Sequence, residues 1–311
     1  MTEFLSRLKQ FAYIVYEPKQ HLFFAFIWYL SLSGLFVSLN QRHIPWEWGL
    51  PSLVTGLTFF IILFVLRAID EVKDFEYDQR HNPHRPLVCG AVSRKDIALY
   101  VILGALFVVM LNLVLSPYLA LFVVLNIGYG LLLIKMEQWL PLMGRSRFFN
   151  LVITYPVSIA LSFYALLQMA VSQGVVIEAS HFMLIGCYVM AFLHFEIVRK
   201  SMWCNLCEPS ELLYSNEIGT KNALLVSTIA ALLACVGVVW LIAPWQLTGI
   251  ASVTGWLPLI NLLFVVLSLK LFYQNRNQSF NPRKFSVPFI VGFYLMNLVH
   301  ALAQNQLQLA I

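Results

Sequence analysis

Arg67-Ala68-Ile69-Asp70-Glu71-Val72-Lys73-Asp74-Phe75-Glu76-Tyr77-Asp78 closes an almost wholly apolar run that begins at Leu50. Asp70, Asp74 and Asp78 recur every four residues. On a helix this spacing sets neighbouring carboxylates on nearly one face, about 5–6 Å apart at Cβ. Like charges held that close repel, and a chain in which only 11% of residues are charged has little reason to cluster them. A shared hard divalent cation, bound through oxygen, supplies the reason; a solvated loop pairing with Lys73 and Arg80 would not require the four-residue interval. Glu71 and Glu76 enlarge the acidic cluster. The apolar run before it decides the fold, because it has the length of a membrane span.

Working outward, hydrophobic residues make up 60% of the 311, far above the balance of a soluble domain. Stretches of about 20 apolar residues, enough to cross a hydrocarbon core of roughly 30 Å, lie at 22–39, 50–69, 96–114, 117–135, 150–170, 181–199, 222–242, 254–273 and 285–305. The expected fold is therefore all-α: a polytopic membrane protein of nine transmembrane helices around a central cavity, formed by one domain over 1–311. Basic residues mark the cytosolic side of a membrane protein. With a cytosolic N-terminus, only Arg42 of the 20 lysines and arginines falls outside. Residues 1–20 form a polar amphipathic start with no small-residue cleavage pattern, so no removable signal peptide is expected.

The net charge of +5 is spread over five cytosolic segments with acids between them. That distribution is unsuited to nucleic acid and suits an anionic membrane face or anionic substrate. Two cytosolic loops, roughly 70–95 and 200–221, are long and polar, and function is expected where they meet helix ends. A weak repeat links them: Asp70-Glu-Val-Lys-Asp74 ends the second span and Glu196-Ile-Val-Arg-Lys200 ends the sixth. Such a duplication would set two similar helix ends facing across a cavity. Cys204-Asn-Leu-Cys207 has redox or zinc spacing but no second ligand pair nearby, and is read as ordinary thiols. His194 is read as a satisfied helix histidine rather than a base.

Beyond Asp78 the chain runs His81-Asn82-Pro83-His84-Arg85-Pro86-Leu87-Val88-Cys89-Gly90. Here it resembles the UbiA family of intramembrane prenyltransferases, whose first motif is approximately N-D-x-x-D-x-x-x-D followed by a Pro-x-Arg-Pro-Leu loop and a glycine. Asp70 stands at the family's Asn, Glu71 at the adjacent Asp, and Asp74 and Asp78 at the next two. The second family motif is matched only in part, by Glu196 and by Ile218-Gly219-Thr220-Lys221. Lys200 occupies the place of a second carboxylate.

The resemblance implies a Mg²⁺-dependent transferase that moves a prenyl group from a prenyl diphosphate to a lipophilic or aromatic acceptor. Asp70, Asp74, Asp78 and Glu196 would be catalytic, with Asp70, Glu71, Asp74, Asp78 and Glu196 the metal ligands. Arg85, Lys135, Lys200, Lys221 and Arg67 would clamp diphosphate, with Arg145 a lesser candidate. Lys200 would replace charge that a second ion otherwise supplies. An intramembrane terpene cyclase shares the ionisation step and is the alternative. A cation transporter is disfavoured because such ion sites lie near the bilayer midplane. The expected setting is the plasma (inner) membrane, with the active site towards the cytosol.

Overall fold

The computed structural model describes residues 2–42, 44–203, 206, 211–276 and 283–309. The Cys204-x-x-Cys207 pair lies outside the described residues. Among the described residues, nine helices are long and apolar enough to cross a membrane. A bilayer leaves no water for backbone amides, so each span satisfies its own hydrogen bonds as a helix.

A short amphipathic helix, α1 (Thr2–Phe11), comes first. Its Arg7 Nη2 donates to Asp96 Oδ1 at 3.1 Å, and Phe11 is buried. The spans α2 (Pro18–Ser38) and α3 (Leu50–Lys73) follow, and α3 continues after a break at Asp74 into α4 (Phe75–His81). Next come α5 (Arg94–Leu115), α6 (Pro117–Trp139), the short α7 (Leu142–Arg145), α8 (Arg147–Gln173) and α9 (Ala179–Arg199). The remainder is α10 (Tyr214–Ile218), α11 (Thr220–Ile242), the broken span α12 (Gly249–Thr254), α13 (Leu257–Ile260) and α14 (Leu262–Gln274), and lastly α15 (Arg283–Gln304).

Consecutive spans pack in antiparallel pairs, α3 on α5 and α9 on α11, and α15 closes the bundle against α2. The α2–α15 approach depends on Gly34, where a Cβ would lie 2.6 Å from that of Ala301; small residues allow such contact between membrane helices. Asn305 Nδ2 seals it by donating to Ser38 Oγ at 2.7 Å. The outer faces remain apolar, as α5 shows: Leu106, Phe107, Met110 and Val114 are exposed while Val108 and Asn112 are buried.

Two features depart from the expected nine plain helices. The eighth span is broken at Gly255 and at Asn261, whose buried amide donates to Phe289 O at 2.7 Å. A two-stranded parallel ribbon also pairs Trp46–Trp48 with Leu307–Leu309, joining the loop after the first span to the end of the last.

Antiparallel alternation brings the C-termini of α3, α6 and α9 and the N-terminus of α8 to one end of the bundle.

Candidate active site

The acidic end of α3 divides its carboxylates between two partners. Lys73 sits between Asp70 and Asp74, its Nζ 3.0 and 3.7 Å from their Oδ1 atoms. Glu71 and Asp78 lie seven residues apart, two turns along one face. They close instead on Arg85, whose Nη1 is 2.5 Å from Glu71 Oε1 and 2.8 Å from Asp78 Oδ2. Arg67 also donates to Glu71 Oε1, at 2.8 Å.

The loop that delivers Arg85 is built for the task. Asn82 Nδ2 donates to Asp78 Oδ1 at 2.7 Å, and Arg85 N donates to Asn82 O at 3.1 Å. Leu87 is buried, and Gly90 turns the chain at φ +79°, a conformation that favours glycine. A capping box between Ser93 and Asp96 then starts α5.

The even aspartate triplet expected from spacing is therefore split. Asp70 and Asp74 have side chains 43% and 33% exposed, whereas Glu71 and Asp78 are 0% and 3% exposed. The cause is the break at Asp74 together with Arg85, which draws two buried carboxylates into an ion pair. Burial pushes the Asp74 carboxyl above its ordinary value, outweighing the opposing effect of Lys73.

Opposite lies the end of α9. Glu196 accepts from Arg199 Nε at 2.6 Å and from Lys200 Nζ. Burial draws the Lys200 ammonium below the ordinary lysine value, against the upward pull of Glu196. Lys200 is near enough to Asp70 to act on it electrostatically, so the two repeated helix ends face each other. Lys200 O accepts from Tyr214 N at 3.1 Å, which ties the loop to this end.

Of the expected diphosphate clamps, Lys200 acts electrostatically on the exposed Asp70. Arg85 and Arg67 are engaged with Glu71. Lys135 is exposed on the α6 face that carries Leu131, Leu132 and Trp139, all exposed, and so points out of the bundle. Lys221 is exposed beside Leu225, also an outward residue, and Arg145 is exposed as well. Chain position at a span end did not reveal which way these long side chains turn.

Two residues absent from the expected site take their place. Arg147, the first residue of α8, acts electrostatically on Asp74 and Lys200. Its guanidinium lies 5.9 Å from the Tyr77 ring centre, and its Nε donates to Leu212 O at 2.7 Å. Glu217 orders that helix start by accepting from Arg147 N at 2.7 Å and Phe148 N at 3.2 Å. Glu137, on α6 opposite Lys135, interacts electrostatically with Lys73, Asp70 and Asp74. The helical phase of 131–139 was the available signal: the apolar outward stripe carries Lys135 and leaves Glu137 on the inner face. His194 Nδ1 is hydrogen-bonded to Ser227 O at 2.9 Å and is buried, in agreement with a satisfied helix histidine.

Among the described residues, no three His, Cys, Asp or Glu side chains converge as a ready-made metal cage. Glu71, Asp78 and Glu196 are held by arginine and lysine. The donor set nevertheless fits Mg²⁺, which commonly takes one or two carboxylates and completes its shell with water and substrate phosphate. Asp70 and Asp74, adjacent and accessible, would hold it.

Below this charged end the interior becomes aromatic. Trp28, Tyr155, Tyr188 and Phe192 line a narrow cavity between α2, α8 and α9. Tyr155 lies within the electrostatic reach of Glu196, linking the cavity to the charged end. Sequence alone singled out none of these rings, because aromatic residues are ordinary in spans and at interfaces.

No family model and no curated protein matches the chain. Solved structures do. A structure of digeranylgeranylglyceryl phosphate synthase superposes with a TM-score of 0.62 at 17% identity, covering 96% of this chain and 99% of the other. A UbiA homologue from Aeropyrum pernix gives 0.61 at 16% identity, over 89% and 97%. A UbiA homologue from Archaeoglobus fulgidus bound to GPP and Mg²⁺ gives 0.58 at 13% identity, over 92% and 99%. At these identities the likeness is one of fold, and the chain has the UbiA fold across nearly its whole length.

Proposed function

We propose that this protein is a UbiA-family intramembrane prenyltransferase that uses Mg²⁺ and a prenyl diphosphate. The observation that carries the reading is the opposition of two accessible carboxylates, Asp70 and Asp74, to Lys200 and Arg147, directly above an aromatic cavity. A prenyl diphosphate is several negative charges on an apolar tail, and this site offers cations at the mouth and rings beneath. The fold likeness to a homologue bound to GPP and Mg²⁺ supports the assignment.

In this reading Asp70 and Asp74 would hold Mg²⁺, which as a Lewis acid would supply positive charge against that developing on the leaving diphosphate. Lys200 and Arg147 contact diphosphate oxygens. Arg85 fixes the Glu71–Asp78 face and so positions the aspartates. The bond from prenyl C1 to the diphosphate oxygen breaks with its electron pair leaving on the diphosphate. The acceptor then forms a bond to C1 and loses a proton. Tyr155 and Phe192 face the allylic cation, where ring faces attract positive charge and the apolar walls keep water out. In this reading the active site faces the cytosol, which the distribution of basic residues supports.

The test is incubation of purified protein with labelled prenyl diphosphates of several lengths, Mg²⁺ and candidate acceptors. Metal-dependent diphosphate release with a prenylated acceptor is expected. No release under any condition would sink the reading, and a hydrocarbon or terpene alcohol formed without acceptor would replace transferase with cyclase.

A further inference from the structure

The amphipathic start of the chain covers a recess that the proposed reaction does not use. Between α1, α3 and α5 lies an apolar groove of about 360 Å³, walled by Leu8 of α1, by Leu57, Phe60 and Phe64 of α3, and by Leu103 and Phe107 of α5. Small-molecule sites occupy roughly 300–1,000 Å³. None of its walls is shared with the aromatic cavity between α2, α8 and α9. Leu103 and Phe107 are exposed on the outer face of α5, so the groove opens sideways, where hydrocarbon surrounds a span. From Tyr100, which also lines it, to Phe107 it follows α5 for about 10 Å, at 1.5 Å per residue.

One polar group enters this apolar lining. Tyr100 is 2% exposed, and its hydroxyl is buried with no hydrogen-bond partner among the described residues. The Phe4 and Phe11 rings pack on it at 5.4 and 5.5 Å, which holds the ring in place. Arg7 Nε is buried and unpartnered as well, and Arg7 lies within electrostatic reach of Tyr100. Asp96 does not fill the gap. One of its oxygens accepts from Arg7 Nη2, and the other accepts from Ser93 N and Oγ at 3.0 and 2.7 Å in the cap of α5. Two buried donors therefore lack an acceptor, and such groups are costly where no bulk water relieves them. The mouth above them is basic: α1 and the first turn of α5, joined by the Arg7–Asp96 pair, carry Arg7, Lys9, Arg94 and Lys95 against Glu3 and Asp96. Lys9, Arg94 and Lys95 are exposed. Basic residues gathered at a membrane surface attract anionic lipids.

We propose that the groove beneath α1 binds one anionic glycerophospholipid. An acyl chain lies between Leu57, Phe60 and Phe64 on one side and Leu103 and Phe107 on the other, an ester or phosphate oxygen accepts from Tyr100 Oη and Arg7 Nε, and the basic mouth receives the headgroup. The chemistry is that of a hydrocarbon chain ending in oxygen acceptors under positive charge, and a bilayer phospholipid supplies all three at the depth where α1 meets α5. The site is independent of the transferase reading and needs neither metal nor prenyl diphosphate.

The experiment is native mass spectrometry of the delipidated full chain in detergent, titrated with phosphatidylglycerol and, separately, with phosphatidylcholine of the same acyl chains. One saturable phosphatidylglycerol is expected, with phosphatidylcholine about fivefold weaker, the scale of one basic residue at a membrane surface. Tyr100→Phe keeps the ring that Phe4 and Phe11 hold and weakens phosphatidylglycerol about fivefold, the scale of one hydrogen bond. Leu103→Trp fills the groove and weakens it at least as much, whereas Leu106→Trp, on the same exposed helix but outside the groove, leaves it unchanged. In Tyr100→Phe the lipid-free unfolding temperature stays level while the rise caused by phosphatidylglycerol shrinks; a merely structural hydroxyl would lower the first and spare the second. Should Leu103→Trp fail to fold, Tyr100→Phe decides. Absence of a saturable phosphatidylglycerol, equal affinity for the two lipids, an unchanged affinity in Tyr100→Phe, or an equal loss in Leu106→Trp and Leu103→Trp would each overturn the proposal.

Discussion

The ends of α3 and α9 are built on the same plan and end in opposite electrostatic states. On α3, Asp70, Lys73 and Asp74 place two carboxylates around one ammonium. On α9, the corresponding Glu196, Arg199 and Lys200 place two cations around one carboxylate. The first end keeps a net negative charge, which on the proposed function serves a metal, and the second keeps a net positive charge, which serves an anion. One divalent ion together with Lys200 and Arg147 can then face a diphosphate, where two acidic ends would need more metal. On the proposed function, the contrast accounts for how a chain with a divergent second motif would still offer complementary charge to a metal-bound diphosphate.

The largest expected effect removes the support of the acidic end. Arg85→Ala leaves Glu71 and Asp78 buried without their shared cation, and breaking a buried pair this way costs about 3–5 kcal/mol; a lowered thermal midpoint should accompany loss of activity. Next, Asp70→Asn or Asp74→Asn should lower diphosphate release by about 10²–10³-fold, the scale for loss of one transition-state stabiliser, with the fold retained by circular dichroism. Retention of full activity by either variant would remove the metal role from this end.

Glu196→Gln tests the other half. Lys200 and Arg199 lose their internal partner but keep their charge, so the expected change is smaller, about tenfold in turnover, with binding of the prenyl diphosphate retained. Equal loss from Glu196→Gln and Asp74→Asn would mean that both ends ligate metal, and the contrast would break.

Acid sharpens it further. Asp74 must be ionised to hold metal, and burial raises its pKa above the ordinary aspartate value of 3.8. Metal-dependent activity should therefore fall as pH drops through a value above 3.8, and raising the Mg²⁺ concentration should move the midpoint downward. The smallest effects belong to Lys135→Ala and Lys221→Ala: both side chains face outward, and initial rates in nanodiscs should change by less than about twofold, in line with surface substitutions of roughly ±0.5 kcal/mol.

Much of the fold was legible because membrane crossing is a demand on composition and length alone. The nine apolar stretches agree with the nine spans among the described residues, and the Asp70–Glu196 repeat located the two facing helix ends. The broken eighth span was less visible, since Gly255 and Asn261 lie inside an apolar run that reads as continuous. Within the site, spacing treated Asp70, Asp74 and Asp78 as equivalent. Their difference depends on the break at Asp74 and on an arginine seven residues beyond the last of them.

The sequence by itself determined the membrane-spanning class, the clustering of acids at one helix end and the candidate chemistry, because hydrophobic length and charge spacing act locally along the chain. Tertiary structure alone decided which carboxylates stay exposed and which cations face them. It turned Lys135 outward and Arg147 inward, paired Arg85 with Glu71 and Asp78, and set Trp28, Tyr155, Tyr188 and Phe192 from three distant spans around one cavity. These outcomes depend on the rotation of each helix about its axis and on partners brought together by packing, and neither quantity is written in the local order of residues.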